Sequence, residues 1–424
     1  MVTLPLLAVG ILLIFCYWGG RIANALKLPR VSGYLLVGML LGPSFCNVLP
    51  RQLIDDDMQI ISEIALGVIA YLMGGSLPLD RIRRLGKCIL WVTVFQAAGA
   101  FLFTGIILVP TIPFLTELQG PEYDLLGTYL PMALILATIS IATASGAVLA
   151  VITELRASGP FTTTLLSVIA ISYGLTLIFF TLANTFGRFL IDPQAASCFS
   201  VLWRTMAEIG LSLSLGAAAG LTLKFMARFV RRREALLMIV LGCILTTCGA
   251  AFILKLSPLV ANLVLGFVIV NLEVRQHDFF TVIERIEEPL FGLFFGLAGA
   301  HVDLGVFSSA APLAVVAFTA RVCGKQLGTL VGSRVCNAPR TIRDYLGLAL
   351  SPHAGWTIAL VIVEMKIFPI GIVSKILINA VIGSVIIGQL IGLPMVKHAL
   401  TKVGETLKQR RAQEGSLQLV YPKP

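Results

Sequence analysis

Apolar runs of about 20 residues recur along this chain, and a helix of that length crosses the hydrocarbon core of a bilayer. This recurrence constrains the fold more than any motif does. Thirteen spans can be read, near residues 4–24, 33–49, 59–77, 88–109, 130–152, 162–186, 205–226, 236–254, 257–273, 289–303, 310–333, 344–364 and 369–393. A backbone inside lipid has no water to bond, so it must satisfy its own N–H and C=O groups. The expected fold is therefore an all-α polytopic membrane protein. Composition agrees: 57% hydrophobic and 13% charged residues, with a mean hydropathy of +0.92, leave too little polar surface for a soluble domain. Residues 1–393 read as one transmembrane unit, with core helices at about 88–186 and 310–393. Residues 394–424 read as a short basic tail, too short for a nucleotide-binding regulatory domain.

Two spans are interrupted. Leu130–Pro160 carries Thr138, Ser140, Thr143, Ser145 and Gly146 between two apolar halves. Ser351–Pro369 places Pro352, His353 and Gly355 before an apolar half-helix with a charged end. Laid together, Ala354-Gly355 falls on Ser145-Gly146, and Pro369 falls on Pro160. Both copies run 14 residues from Gly to Pro. Paired broken helices in two halves of a chain mark inverted repeats and a transport site at mid-membrane. The competing reading is a face of small residues for close helix packing. Gly146, Pro352 and Gly355 are the expected hinges.

The net charge is +10, and its placement alternates. Lys27, Arg30, Arg81, Arg83, Arg84, Lys87, Arg156, Lys224, Arg228, Arg231–Arg233, Arg275, Arg285, Arg334, Arg340 and Arg343 fall in odd-numbered loops. The tail adds Lys397, Lys402, Lys408, Arg410, Arg411 and Lys423. Even loops hold only Arg51, Arg188, Arg204, Lys255 and Lys366. The positive-inside rule then puts the amino terminus outside and the tail in the cytoplasm. Charges spread over one membrane face fit lipid contact and topology, not nucleic acid. Residues 1–24 lack a basic n-region, so the first span is expected to be retained. The eight cysteines show no CxxC spacing and mostly sit inside spans, so they read as small hydrophobes, neither metal ligands nor disulfides. No nucleophile motif frames the Ser, His and Asp residues, and no enzyme activity, cofactor or metal site is expected.

After Pro29, Ser32–Pro43 reads SGYLLVGMLLGP, with Gly33, Gly38 and Gly42 forming one flat face. With ISEIALGVIAYLMGG in span three, Gly159-Pro160, Ser257-Pro258, Gly266, Asn271, Glu288-Pro289, Phe294-Phe295, Gly299 and the Gly-Lys of span eleven, this resembles the monovalent cation:proton antiporter superfamily, in its Kef-type and bacterial sodium/proton exchanger branch. The resemblance covers nearly the whole chain. It implies a sodium/proton antiporter-like fold in which two broken helices cross, a bacterial inner-membrane location, a small ion and a proton as transported species, and a homodimer. Gly33, Gly38 and Gly42 would serve equally for packing within one chain.

The departures fall at the residues that matter most. Thr143-Ala144-Ser145 stands on the family's Thr-Asp-Pro, and Ser172-Tyr173 on its ion-binding carboxylates. Ser76 takes the place of a common acid. Arg321 falls where such antiporters hold a basic residue paired to the missing Asp, and Lys325 lies one turn on. A mid-membrane charge is costly and usually paired or functional, although both could snorkel toward the cytoplasmic side. His353 stands where a Gln is usual, and could carry a proton or cap exposed carbonyls. Lys375 could face a cavity or the outer interface. Glu63 and Glu208 read as outer-end residues. The expected ion pathway is Thr143, Ser145, Ser172, Tyr173, Arg321, Lys325 and His353. Three functions stay open: a sodium- or potassium-type cation:proton antiporter working by alternating access, an anionic-solute transporter of the same fold, or a transport-inactive sensor or partner.

Overall fold

The computed structural model describes residues 3–26, 30–54, 58–79, 86–116, 118, 123–191, 198–230, 232–273, 276–353, 355–364 and 371–407. Lys27, Pro29, Arg81, Arg83, Arg84, Arg231, Arg275, Ala354, Lys366, Pro369 and the tail from 408 lie outside them. Fifteen α-helices are described: α1 (Thr3–Ala25), α2 (Arg30–Leu41), α3 (Gln59–Gly75), α4 (Gly86–Leu115), α5 (Leu130–Ile141), α6 (Ser145–Glu154), α7 (Pro160–Ile191), α8 (Cys198–Ala227), α9 (Arg233–Ile253), α10 (Pro258–Leu272), α11 (Gln276–Ala300), α12 (Leu304–Val335), α13 (Arg340–Ala349), α14 (Gly355–Glu364) and α15 (Ile372–Val403). Among the described residues there is no strand.

Each span read from the sequence contains helix, although α2 ends at Leu41 and leaves 42–49 of the second span as turns. Span five is α5 plus α6 and span twelve is α13 plus α14, each interrupted near its middle. Six helices are long and apolar enough to cross a membrane alone, α1, α4, α7, α8, α9 and α15. Helix starts follow local chemistry. Pro258 opens α10 behind Ser257, whose hydroxyl accepts from Val260 N–H. Asp303 caps α12 by accepting from Gly305 N–H at 3.1 Å. The last helix continues through Pro394 to Val403, past the 393/394 boundary read from hydropathy.

Two packing groups form. One joins α1–α3 with α8–α11; the other joins α4–α7 with α12–α15. Backbone contact at glycine sets the first group. A Cβ on Gly38 would lie 1.8 Å from the Gly296 carbonyl oxygen of α11, and one on Gly33 would lie 2.2 Å from the Gly19 carbonyl oxygen of α1. The flat face of α2 is therefore used inside the chain. In the second group α4 and α12 make the most extensive contact. Gly99, Gly324 and Gly328 bring their backbones together, and a Cβ on Gly328 would meet the Phe95 carbonyl oxygen at 2.2 Å.

One sequence expectation is overturned at this contact. Cys88, in the first turn of α4, and Cys336, just past α12, are joined as a disulfide across 248 residues. Helix packing alone brings them together, so spacing along the chain held no sign of it. Cys16, Cys46, Cys243, Cys248 and Cys323 are free thiols.

Candidate functional site: two helix breaks held by α12

α5 stops at Ile141 because Ala142 turns to an extended conformation, at φ −62° and ψ 147°. α13 stops at Ala349, two residues before a Ser351-Pro352 step that disfavours helix at Ser351. The breaks meet directly. Ala144 N–H donates to the Pro352 carbonyl at 3.1 Å. Each stopped half-helix leaves carbonyls without partners, and each C-terminal end carries about half a negative charge.

α12 supplies the compensation. Arg321 and Lys325 are 1% and 0% exposed, so neither snorkels to the surface. Arg321 donates from Nη1 to the Ser351 carbonyl and from Nη2 to the Ala142 carbonyl, both at 2.5 Å. Nη2 also lies 3.3 Å from the Pro352 and 3.4 Å from the Leu350 carbonyl oxygen. Lys325 Nζ donates to the Ala142 carbonyl at 3.0 Å, Thr143 Oγ1 at 2.5 Å and the Leu350 carbonyl at 3.3 Å. Among the described residues, no carboxylate takes part in these bonds. The partner of the two cations is the pair of helix ends themselves.

The other expected pathway residues divide. Thr143 belongs to the cluster, donating its hydroxyl to the Leu350 carbonyl at 3.3 Å while accepting from Lys325. Tyr173 stitches the first break from α7: its hydroxyl donates to the Thr143 carbonyl at 3.1 Å and accepts from Ser145 N–H at 3.2 Å. Ser172 turns away. Its hydroxyl donates to the Val168 carbonyl and accepts from Gln96 Nε2 of α4 at 2.8 Å. His353 is buried, with Nδ1 3.1 Å from Thr357 Oγ1. Capping of the break carbonyls falls to Arg321 and Lys325. Lys375 is partly exposed and pairs with Asp303, its Nζ 2.9 Å from Asp303 Oδ2. Glu63, one turn into α3, accepts from Gln59 at 2.8 Å.

Sequence reading passed over Gln96, Gln389 and the Gly388/Gly392 pair. Gln389 Nε2 donates to the His353 carbonyl at 2.7 Å, and a Cβ on Gly392 would meet Pro352 Cα and N at 2.8 Å. One amide inside span four, one of two inside span thirteen, and two glycines four apart were the available signals. Gln96 Oε1, Gln389 Oε1, Ser351 Oγ and Arg321 Nε are buried around the crossing without a hydrogen-bond partner. Polar atoms so placed are rare in a packed interior. Among the described residues, no group of three His, Cys, Asp or Glu side chains is arranged to hold a metal ion.

Comparison with known proteins follows the same architecture. The family described as "Sodium/hydrogen exchanger, transmembrane" matches residues 10–402. A structure of the sodium proton antiporter MjNhaP1 from Methanocaldococcus jannaschii at pH 8 superposes with a TM-score of 0.77. It shows 16% identity over 95% of this chain and 99% of that one. An electron-microscopy map of the same antiporter superposes at 0.70, with 16% identity over 95% and 98% of the chains. No curated protein matches this sequence.

Proposed function

From the premise that this chain belongs to the sodium/hydrogen exchanger family, we propose that it is a monovalent cation:proton antiporter in which a buried lysine, and not an acid, carries the exchanged charge. The observation that carries this reading is the oxygen cage around Lys325 Nζ, made by the Ala142 and Leu350 carbonyls and Thr143 Oγ1. An ammonium held by neutral oxygens is a tethered cation. A transported cation entering the same oxygens meets that charge, and the two exclude each other by Coulomb repulsion in a low-dielectric site. If Lys325 releases its proton as the cation enters, one charge replaces another and the crossing keeps its balance. Arg321 keeps its proton throughout and holds the two helix ends in place. Alternation of the site between the two membrane faces completes the cycle.

The geometry favours a cation over an anionic solute. The donors of both side chains already point at carbonyls, and only Arg321 Nε is left without a partner. We place the amino terminus outside and the tail in the cytoplasm of a bacterial inner membrane, from the alternation of basic loops. A homodimer would use a face other than the α2 glycines, which are occupied within the chain.

The test is a pH-dye flux assay in proteoliposomes under sodium, potassium and anion gradients. A sodium or potassium gradient should drive proton movement. Lys325→Met should abolish that coupling, a loss of at least a hundredfold, while the protein keeps its elution profile and helicity. Proton movement driven only by anions would favour the anion reading. Silence under every gradient would mean a transport-inactive relative.

A further inference from the structure

The Cys88–Cys336 bridge has no role in the exchange reaction just described. It joins one end of α4 to one end of α12, the helix that holds the crossing. Cys88 lies in the first turn of α4, and Cys336 follows the last turn of α12, with Cα atoms 5.1 Å apart. Arg321 and Lys325 sit on the same α12, the lysine 11 residues before Cys336, or roughly 16 Å at 1.5 Å per residue.

Between bridge and lysine the α4–α12 contact is smooth. Gly324, Gly328 and Gly332 meet Gly99, Gln96, Phe95 and Val92 through backbone atoms. Such a surface brings helices close but offers few interlocking side chains to fix axial register. A covalent tie at one end supplies that register.

Both cysteines are half-buried, so small thiol reagents can reach them. Cys88 stands at a helix amino-terminal end beside Lys87, and Arg334 precedes Cys336 by two residues. A helix amino terminus makes Cys88, and not the carboxy-terminal Cys336, the better attacking sulfur. Lys87 and Arg334 also belong to the loops that the proposed topology puts on the cytoplasmic face. Disulfides facing that compartment are characteristically transient and redox-sensing.

We propose that Cys88 and Cys336 form a reversible thiol–disulfide switch, which when oxidised holds α12, and with it Lys325, in register on α4. It rests on the cytoplasmic orientation proposed above. The oxidant class is a low-molecular-weight disulfide such as oxidised glutathione. The Cys88 thiolate attacks one sulfur of that disulfide and expels a thiolate. The Cys336 thiolate then attacks Cys88 Sγ and expels the second. The two cysteines lose two protons and two electrons, and the oxidant leaves as two thiols.

The experiment uses the full chain in inverted membrane vesicles, where the cytoplasmic face is outward. Labelling with a small membrane-impermeant maleimide, counted by intact mass, should show two more labelled thiols after reduction, and no gain in the Cys88→Ser/Cys336→Ser double variant. No gain in the native chain overturns the bridge. A gain found only in right-side-out vesicles overturns the cytoplasmic assignment, and the switch with it. Hydrogen exchange of purified protein then reads the clamp without reference to transport. Amides of 316–335 should exchange at least fivefold faster in reduced than in oxidised protein, and at equal rates in the double variant. Equal exchange in the two states of native protein overturns the switch even if flux is normal. If exchange responds to redox while every ion gradient is silent, the switch stands and the antiporter reading falls.

Discussion

The two helix breaks do the same job with different means. At the first, between α5 and α6, the backbone is held by a side chain from a neighbouring helix: Tyr173 bonds both the Thr143 carbonyl and the Ser145 N–H. At the second, between α13 and α14, the backbone is held by contact. Pro352 lies directly on Gly392 of α15, His353 lies on Gly388, and Gln389 secures the His353 carbonyl. Both breaks then surrender their C-terminal carbonyls to the same two cations on α12. The difference teaches that the chemistry is shared at the crossing while the mechanical support is separate. The first break can be loosened by removing the Tyr173 hydroxyl, the second by filling the space over Gly392.

That asymmetry can be broken from its strongest point downward. Arg321→Ala removes one of the two side chains bonded to both breaks, the one with the larger set of carbonyl partners. It should cost roughly 3–5 kcal/mol, because buried carbonyls on both half-helices lose their charged donor. A lower melting temperature in detergent, with faster hydrogen exchange at 142–145 and 350–353 together, is the expected result. Faster exchange at one break alone would mean that the cations do not couple them. Gly392→Val should cost about 1–3 kcal/mol by overpacking, since backbone atoms of Pro352 would have to shift. Here the exchange increase should be confined to the second break, and a response at Ser145 would contradict the separation. Tyr173→Phe keeps the ring and deletes the hydroxyl. It should cost about 1–3 kcal/mol through the unsatisfied Ser145 N–H and Thr143 carbonyl, with the second break unchanged. The smallest effect belongs to Asp303→Ala, remote from both breaks. It removes the α12 cap, the 2.9 Å contact with Lys375 and the 3.9 Å contact with Arg51. A loss of about 1 kcal/mol in unfolding experiments, with cation-driven flux unaltered, is expected for an exposed cap and ion pair.

Most of the helical framework was legible in the chain, since the bilayer sets one length scale and the hydropathy pattern reports it. The interruptions were legible as well: small hydroxyls around Thr143 and a Pro-His-x-Gly step at Pro352 cannot continue an apolar helix undisturbed. The candidate site was legible by position at Thr143, Tyr173, Arg321 and Lys325. Ser172 was named beside Tyr173, yet adjacent residues on a helix point about 100° apart, and its hydroxyl goes to Gln96 instead. The Cys88–Cys336 bond was misread because nothing local marks it. Gln389 went unnoticed because an amide in an apolar run has no pattern until its neighbour is known.

The chain by itself determined that this protein lives in a membrane, that it crosses many times, and that two of its spans are interrupted by small, polar and Pro residues. Those properties are written in hydropathy and in residue identity, which are local. Only the tertiary structure decided what meets at the interruptions. Two half-helix ends converge on Arg321 and Lys325, so the charge that balances these cations comes from backbone carbonyls. Backbone dipoles carry no letter in a sequence, and their direction exists only once the helices have been placed.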